Sequence, residues 1–229
     1  MLRILTVPGA LATILFCLLL AKPVFAENLP HEHQGILIPY NGEPDLPSLS
    51  DRDMKRLRQG KVLTKKQLVK DSKRALVVFR VAADSATIWS VIRDFAFYPD
   101  WINDIKSTRV YREEDGVIYV RFDAENKYSG PSSWFARHDY PRANEREWGT
   151  WTLDYEQRSD LDDSVGYWRV IPVEDEPGQS IVIYSATLKL KAKVPGFIVG
   201  IIVKARLKQA TVWVKEQSEA RMAKLEAER

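Results

Sequence analysis

The hydrophobic pattern is most regular from residue 75 onward. Leu76-Val77-Val78-Phe79-Arg80-Val81 is an apolar, β-branched and aromatic run, and it predicts a strand opening the main body near Ala75. Behind Asp84, a natural N-cap, the apolar positions Ile88, Trp89, Val91, Ile92 and Phe95 recur at helical spacing and predict a short helix. Pro99 interrupts it, so Tyr98-Pro99-Asp100-Trp101-Ile102 reads as a second short helix or turn. The period then falls to two. Strands are predicted over 105–112, 117–124, 133–140, 149–157, 166–173 and 180–190, with hairpin-type turns at Glu114-Asp115-Gly116 and Glu176-Pro177-Gly178. Pro195-Gly196 opens a long helix striped by Val199, Val203, Leu207, Ala210 and Val214. Strands grouped apart from helices indicate an α+β fold. The packing expected is a helix-grip, a curved seven-stranded antiparallel sheet around the long C-terminal helix, with room for a hollow between them.

Residues 27–74 have a different texture. Pro30, Pro39, Pro44 and Pro47 punctuate an aperiodic stretch that predicts an extended leader. Ser50 and Asp53 form a capping-box pattern ahead of a short helix near 50–59, with Gly60 placed to end it. Residues 61–64 are expected as a short strand and 65–74 as a basic connector, and the whole leader as an appendage. His31 and His33 stand two apart in it without a third ligand nearby, so an incidental role is favoured over a metal site.

The first 26 residues carry a secretory pattern: Arg3, an apolar run over 10–21 broken only by Thr13, and Val24-Phe25-Ala26 as a cleavage site. The run is short for a bilayer span, which needs about 20 apolar residues. Export to the periplasm or medium, with Glu27 as the new N-terminus, is therefore expected. Cleavage removes Cys17, the single cysteine, and with it disulfides, thiolate metal sites and a Cys nucleophile. It also removes Arg3 and Lys22, which leaves 32 Lys+Arg against 31 Asp+Glu; so balanced a chain is not expected to bind nucleic acid. Seven Trp, nine Tyr and eight Phe supply a core that must hold without cross-links. The sequence contains no P-loop, GxGxxG, HExxH or GxSxG pattern.

The run Val81-Ala82-Ala83-Asp84-Ser85-Ala86-Thr87-Ile88-Trp89-Ser90-Val91-Ile92-Arg93-Asp94-Phe95, followed by Tyr98-Pro99-Asp100-Trp101, resembles the opening of the START-like, Bet v 1-like helix-grip superfamily, which includes polyketide cyclases and coenzyme-Q-binding START-type proteins. Gly149-Thr150-Trp151-Thr152-Leu153 and the passage from Tyr184 to Val194-Pro195-Gly196-Phe197 are similar to it as well. The resemblance spans about 75–225. It implies an internal cavity for a lipid-like or polycyclic ligand, without metal or covalent cofactor. Ala83 departs from the pattern, since many relatives have Pro there.

Candidate ligand-binding residues follow from strand parity. Trp134, Trp151, Trp168 and Tyr184 lie on predicted strands, where one parity lines the hollow and offers broad apolar area with a polar handle. For any one of them, filling the core is an equal alternative. His138 alternates with Trp134, Ala136 and Tyr140, and it cannot pair with Asp139 because neighbours on a strand face opposite sides. Of the strand arginines Arg80, Arg121, Arg137 and Arg169, most must face solvent; Arg169 is retained as a candidate, its parity being undecided. The apolar segment 194–203, flanked by Lys189, Lys191, Lys193, Lys204, Arg206 and Lys208, could touch an anionic membrane or be buried in the grip.

The function expected is an exported, monomeric carrier of a lipid, quinone or sterol-like molecule. The alternatives are a polyketide cyclase/aromatase using His138 or Tyr residues, and a module whose leader docks a partner. Full-length chain produced in a Gram-negative host should appear in the osmotic-shock fraction beginning at Glu27. N-terminal sequencing checks this, and cytoplasmic protein retaining Met1 would refute it.

Overall fold

Alternation at period two sends successive side chains to opposite faces of a sheet, so an eight-stranded sheet has two surfaces to cover. The computed structural model describes residues 29–70, 72–126, 130–142, 146–191 and 196–228. The apolar N-terminal segment with its expected cleavage site lies outside them, as do residues 194 and 195 and the side chains of 196–199, including Val199 of the expected helical stripe.

The elements in chain order are α1 (Asp51–Arg58), β1 (Leu63–Val69), β2 (Ser72–Val81), α2 (Ser85–Ile92), α3 (Tyr98–Trp101), β3 (Ile105–Glu114), β4 (Val117–Asn126), β5 (Gly130–Asp139), β6 (Trp148–Leu153), β7 (Leu161–Pro172), β8 (Ser180–Leu190) and α4 (Gly196–Ala227). All strand pairs are antiparallel, in the order β1-β2-β8-β7-β6-β5-β4-β3. The fold is α+β, a helix-grip with eight strands where seven were expected. The additional strand is β1. Residues 65–69, expected as connector, pair with 72–76 in a hairpin turning through Lys70. Its lysines conceal the strand pattern because they occupy edge positions where charge is tolerated and edge pairing is discouraged.

Local signals hold the helices in place. Ser50 and Asp53 cap α1 reciprocally, and Asp84 accepts the Thr87 amide at 2.7 Å to start α2. On the concave face, Val77, Phe79, Val120, Val170 and Val182 form one buried cluster with Ile88, Trp89 and Ile92 of α2 and with Leu207, Ala210, Trp213 and Val214 of α4.

The convex face is covered too, by the segment expected to stand apart. His31 bonds the Asp162 carbonyl at 2.9 Å, and the amides of Ile36 and Leu37 both donate to Asp163 Oδ2, at 2.7 and 2.6 Å. The Tyr40 ring meets Tyr167 edge-on at 4.8 Å, and its hydroxyl lies 3.2 Å from Ser185 Oγ. Beneath lie Leu57, Leu63, Leu76, Val78, Tyr167, Ile181 and Ile183, a second core. Residues 29–50 are therefore packed against the sheet. Tyr40→Ala should cost about 2 kcal/mol or more through lost packing. A urea midpoint unchanged from wild type would show that this segment contributes nothing to the fold.

Candidate ligand-binding cavity

The concave face is not completely filled. Between β4–β8 on one side and α3 and α4 on the other lies a half-open cavity of about 200 Å³. Its walls come chiefly from alternate strand positions: Phe122 and Ala124 on β4, Trp134, Ala136 and His138 on β5, Trp151 on β6, Trp168 on β7, and Tyr184, Ala186 and Leu188 on β8. Tyr98 closes one end and Trp213 of α4 closes the roof. The lining is mostly apolar.

The aromatic rings form two walls. On one, Phe122 stacks on Trp134 at 5.1 Å, and His138 sits between Phe95 and Tyr140, 4.8 Å from each. On the other, Tyr184 stacks with Trp168 at 4.0 Å and with Trp151 at 5.6 Å. Trp213 bridges them from above, 6.0 Å from Trp168 and 4.9 Å from Tyr98, and is backed by Trp101 at 5.8 Å. Trp151 reaches its place because its cross-strand partner is Gly166: a Cβ there would come within 2.1 Å of the indole. No other residue leaves that space.

His138 is the polar centre of this surface. It is 5% exposed, and neither ring nitrogen has a hydrogen-bond partner among the described residues. Burial without a charge partner lowers its pKa to about 3, so the ring is a neutral imidazole offering one donor and one acceptor. Tyr98 and Tyr140 are neutral phenols whose pKa values burial raises well above the usual range. Tyr98 donates to the Ile92 carbonyl at 2.6 Å.

Five of the six sequence candidates, Trp134, His138, Trp151, Trp168 and Tyr184, line this one cavity. Arg169 does not. It follows Trp168 on β7 and so points to the convex face, where its guanidinium meets Glu43 at 2.6 Å, Glu147 at 3.4 Å and the Pro44 carbonyl at 2.9 Å. The charge is buried because residues 43 and 44 cover it, a contact that parity alone could not reveal. Asp139 likewise faces away from His138 and is bound by Arg146. Trp213 was missed, although it stands three positions after Ala210 at the flank of the apolar stripe. Tyr98, read only as part of a turn, was missed as a cavity wall as well.

A long helix gripped by a curved antiparallel sheet over an aromatic hollow defines a helix-grip domain of the START type. The family model described as polyketide cyclase / dehydrase and lipid transport matches residues 81–211, more than half of the chain, and the protein belongs to that family. Solved structures share the fold. A START superfamily protein from Mycobacterium smegmatis is 20% identical, with 72% of this chain and 98% of that one covered and a TM-score of 0.51. The Zhui aromatase/cyclase from Streptomyces is 15% identical, with 70% and 96% covered and a TM-score of 0.52. Human StAR-related lipid transfer protein 5 is 10% identical, with 70% and 83% covered and a TM-score of 0.55. No curated protein matches the sequence.

The depressed pKa of His138 has a signed consequence. Its folded value lies below the unfolded value near 6.5, so the unfolded chain binds the proton first on acidification. Stability is complete above about pH 6.5 and is lost as pH falls toward 3. Between pH 6.5 and 5, before most carboxylates titrate, His138 should contribute a loss approaching about 1.4 kcal/mol per pH unit. Urea midpoints of wild type and His138→Phe across that window check it: the variant should show the shallower slope.

Proposed function

We propose that the protein is an exported carrier of a neutral, mostly apolar small molecule that bears one hydrogen-bonding group. The observation that carries this reading is the composition of the cavity wall. Aromatic and aliphatic side chains, with Ser132, Ser164 and Gln209 among them, surround a single buried imidazole with both nitrogens unpartnered, and no Asp, Glu, Lys or Arg joins them among the described lining residues. Burying a polar group without a partner is costly, and a hydroxyl or carbonyl on a ligand would remove that cost. At about 200 Å³ the cavity is smaller than the ~300–1,000 Å³ usual for sites enclosing drug-sized ligands. A ring system or the end of a chain fits, while a larger molecule would extend past its open side. The secretory pattern of residues 1–26 supports export. Among the described residues no helix is long and apolar enough to cross a membrane.

The second reading is catalysis of the aromatase/cyclase kind, the activity named for the Streptomyces relative. His138 is the residue that favours it. A ring with a pKa near 3 is a poor proton acceptor at neutral pH, and no carboxylate stands beside it to orient or charge it. The carrier reading is therefore preferred.

Quinones, sterols and ring-bearing alcohols should be titrated against the full chain while its tryptophan emission is followed. At least one class should shift or quench the signal with micromolar affinity, about −8 kcal/mol. Trp151→Ala should reduce the response, and Ser164→Phe at the cavity wall should block it. His138→Phe should weaken an oxygen-bearing ligand about tenfold and leave a pure hydrocarbon analogue unaffected. Failure of every class, or turnover of a bound polyketide that His138→Phe abolishes, would overturn the carrier reading.

A further inference from the structure

The cavity is not the only hollow beneath α4. On the opposite flank of the helix, a groove of about 860 Å³ runs between α4 and the β1, β2 and β8 end of the sheet. Its floor is apolar: Val77 and Leu207 are buried, and Ala186, Leu188 and Val203 form a wall shared with the cavity. Its mouth is apolar as well, because Val62 and Val212 remain 44% and 46% exposed. Apolar side chains gathered around a concave site mark a place where something binds.

Two cations stand on the same rim. Lys204 and Lys208 are one helical turn apart, both are exposed and both line the groove. Neither has an ion-pair partner among the described residues, and no Asp or Glu belongs to the described lining. The third basic residue of the lining, Arg74, is buried: its Nη2 donates to the Ile38 carbonyl and its guanidinium covers the Tyr40 ring at 4.8 Å, while Nε and Nη1 have no hydrogen-bond partner among the described residues. An apolar trough ending in two uncompensated ammonium groups is complementary to a hydrocarbon chain ending in an anion. The outer wall, β1 with Val62 before it, lies outside the family match at 81–211, while the α4 and β8 walls, with both lysines, lie inside it.

We propose that the groove is a second binding compartment, for a long-chain amphiphile of the fatty-acid class whose carboxylate meets Lys204 and Lys208. The chain lies along Val77, Leu188 and Leu207, and its burial supplies most of the affinity, since exposed ion pairs contribute little by themselves. The lysines set orientation and the preference for an anion. The site shares the wall of Ala186, Leu188 and Val203 with the aromatic cavity, but the proposal does not rest on the ligand proposed there.

Palmitate and hexadecanol serve as probes, titrated by calorimetry into the full chain at low and high salt. Palmitate should bind, each added methylene should tighten binding roughly three- to fourfold, and Lys204→Gln with Lys208→Gln should weaken palmitate about tenfold without changing hexadecanol. Thr64→Trp, which fills the groove wall, should also weaken it, and Ser164→Phe in the cavity should not. No tryptophan is among the described lining residues of the groove, so palmitate bound there should not quench the cavity tryptophans by direct contact. Absence of palmitate binding, or equal affinity in the double lysine variant, would overturn the proposal. Binding lost in Ser164→Phe alone would also overturn it and would leave the cavity reading standing. Attachment to phosphatidylglycerol vesicles through the two lysines without palmitate binding would assign them to a membrane surface instead, and would equally overturn it.

Discussion

Burial of β2, β7 and β8 on both faces of the sheet is the constraint from which the rest of the structure follows. Three consecutive residues of β7 make it visible: Tyr167, Trp168 and Arg169 are all buried, although neighbours on a strand point in opposite directions. An antiparallel sheet with one wet face would place polar, exposed residues at alternate positions. Here α4 covers one parity and residues 29–50 cover the other. The buried Arg169 is tolerable only because Glu43, Glu147 and the Pro44 carbonyl surround it, and a guanidinium stripped of those partners would be strongly destabilising.

That double cover frees the concave face for a ligand. With the convex parity of β2, β7 and β8 packed as a second core around Leu76, Tyr167 and Ile183, the sheet has support that does not depend on filling the space beneath α4. The concave side can then carry wide aromatic walls with a gap between them. Gly166 illustrates the balance, because it gives up its side chain so that Trp151 can lie flat against the strand and still face the cavity. The cavity is therefore a product of what was omitted at one strand position as much as of the rings placed at others.

Much of the fold was legible in the sequence because its signals are local. A continuous apolar run marked β2, period-two runs marked β3 to β8, Asp84 and Ser50 marked helix starts, and the stripe through Leu207, Ala210 and Val214 marked the buried side of α4. Parity also gathered Trp134, His138, Trp151, Trp168 and Tyr184 toward one surface. What escaped depends on contacts between distant parts of the chain. Arg169 looked open because two of its partners, Glu43 and Pro44, lie more than a hundred residues upstream, in a stretch without periodicity. The strand β1 beyond the expected short strand at 61–64 was hidden by its lysines, and the docking of residues 29–50 rests on backbone amides reaching Asp163, for which composition holds no sign.

The two hollows under α4 differ in the physics they offer, although they share Ala186, Leu188 and Val203. In the cavity the polar element is His138, held neutral by burial and able to distinguish ligands only through a hydrogen bond made away from water, where such a bond counts most. In the groove the polar element is a pair of solvated ammonium groups at the rim, which act through charge and weaken in salt. One site thus suits a neutral molecule with a buried oxygen, and the other an anion with its head in water. Because Val203 belongs to both walls, a shift of α4 toward one side enlarges one hollow at the expense of the other. Two ligands bound at once would therefore sense each other through the position of that helix, with the sign of the coupling set by which way each one pushes it.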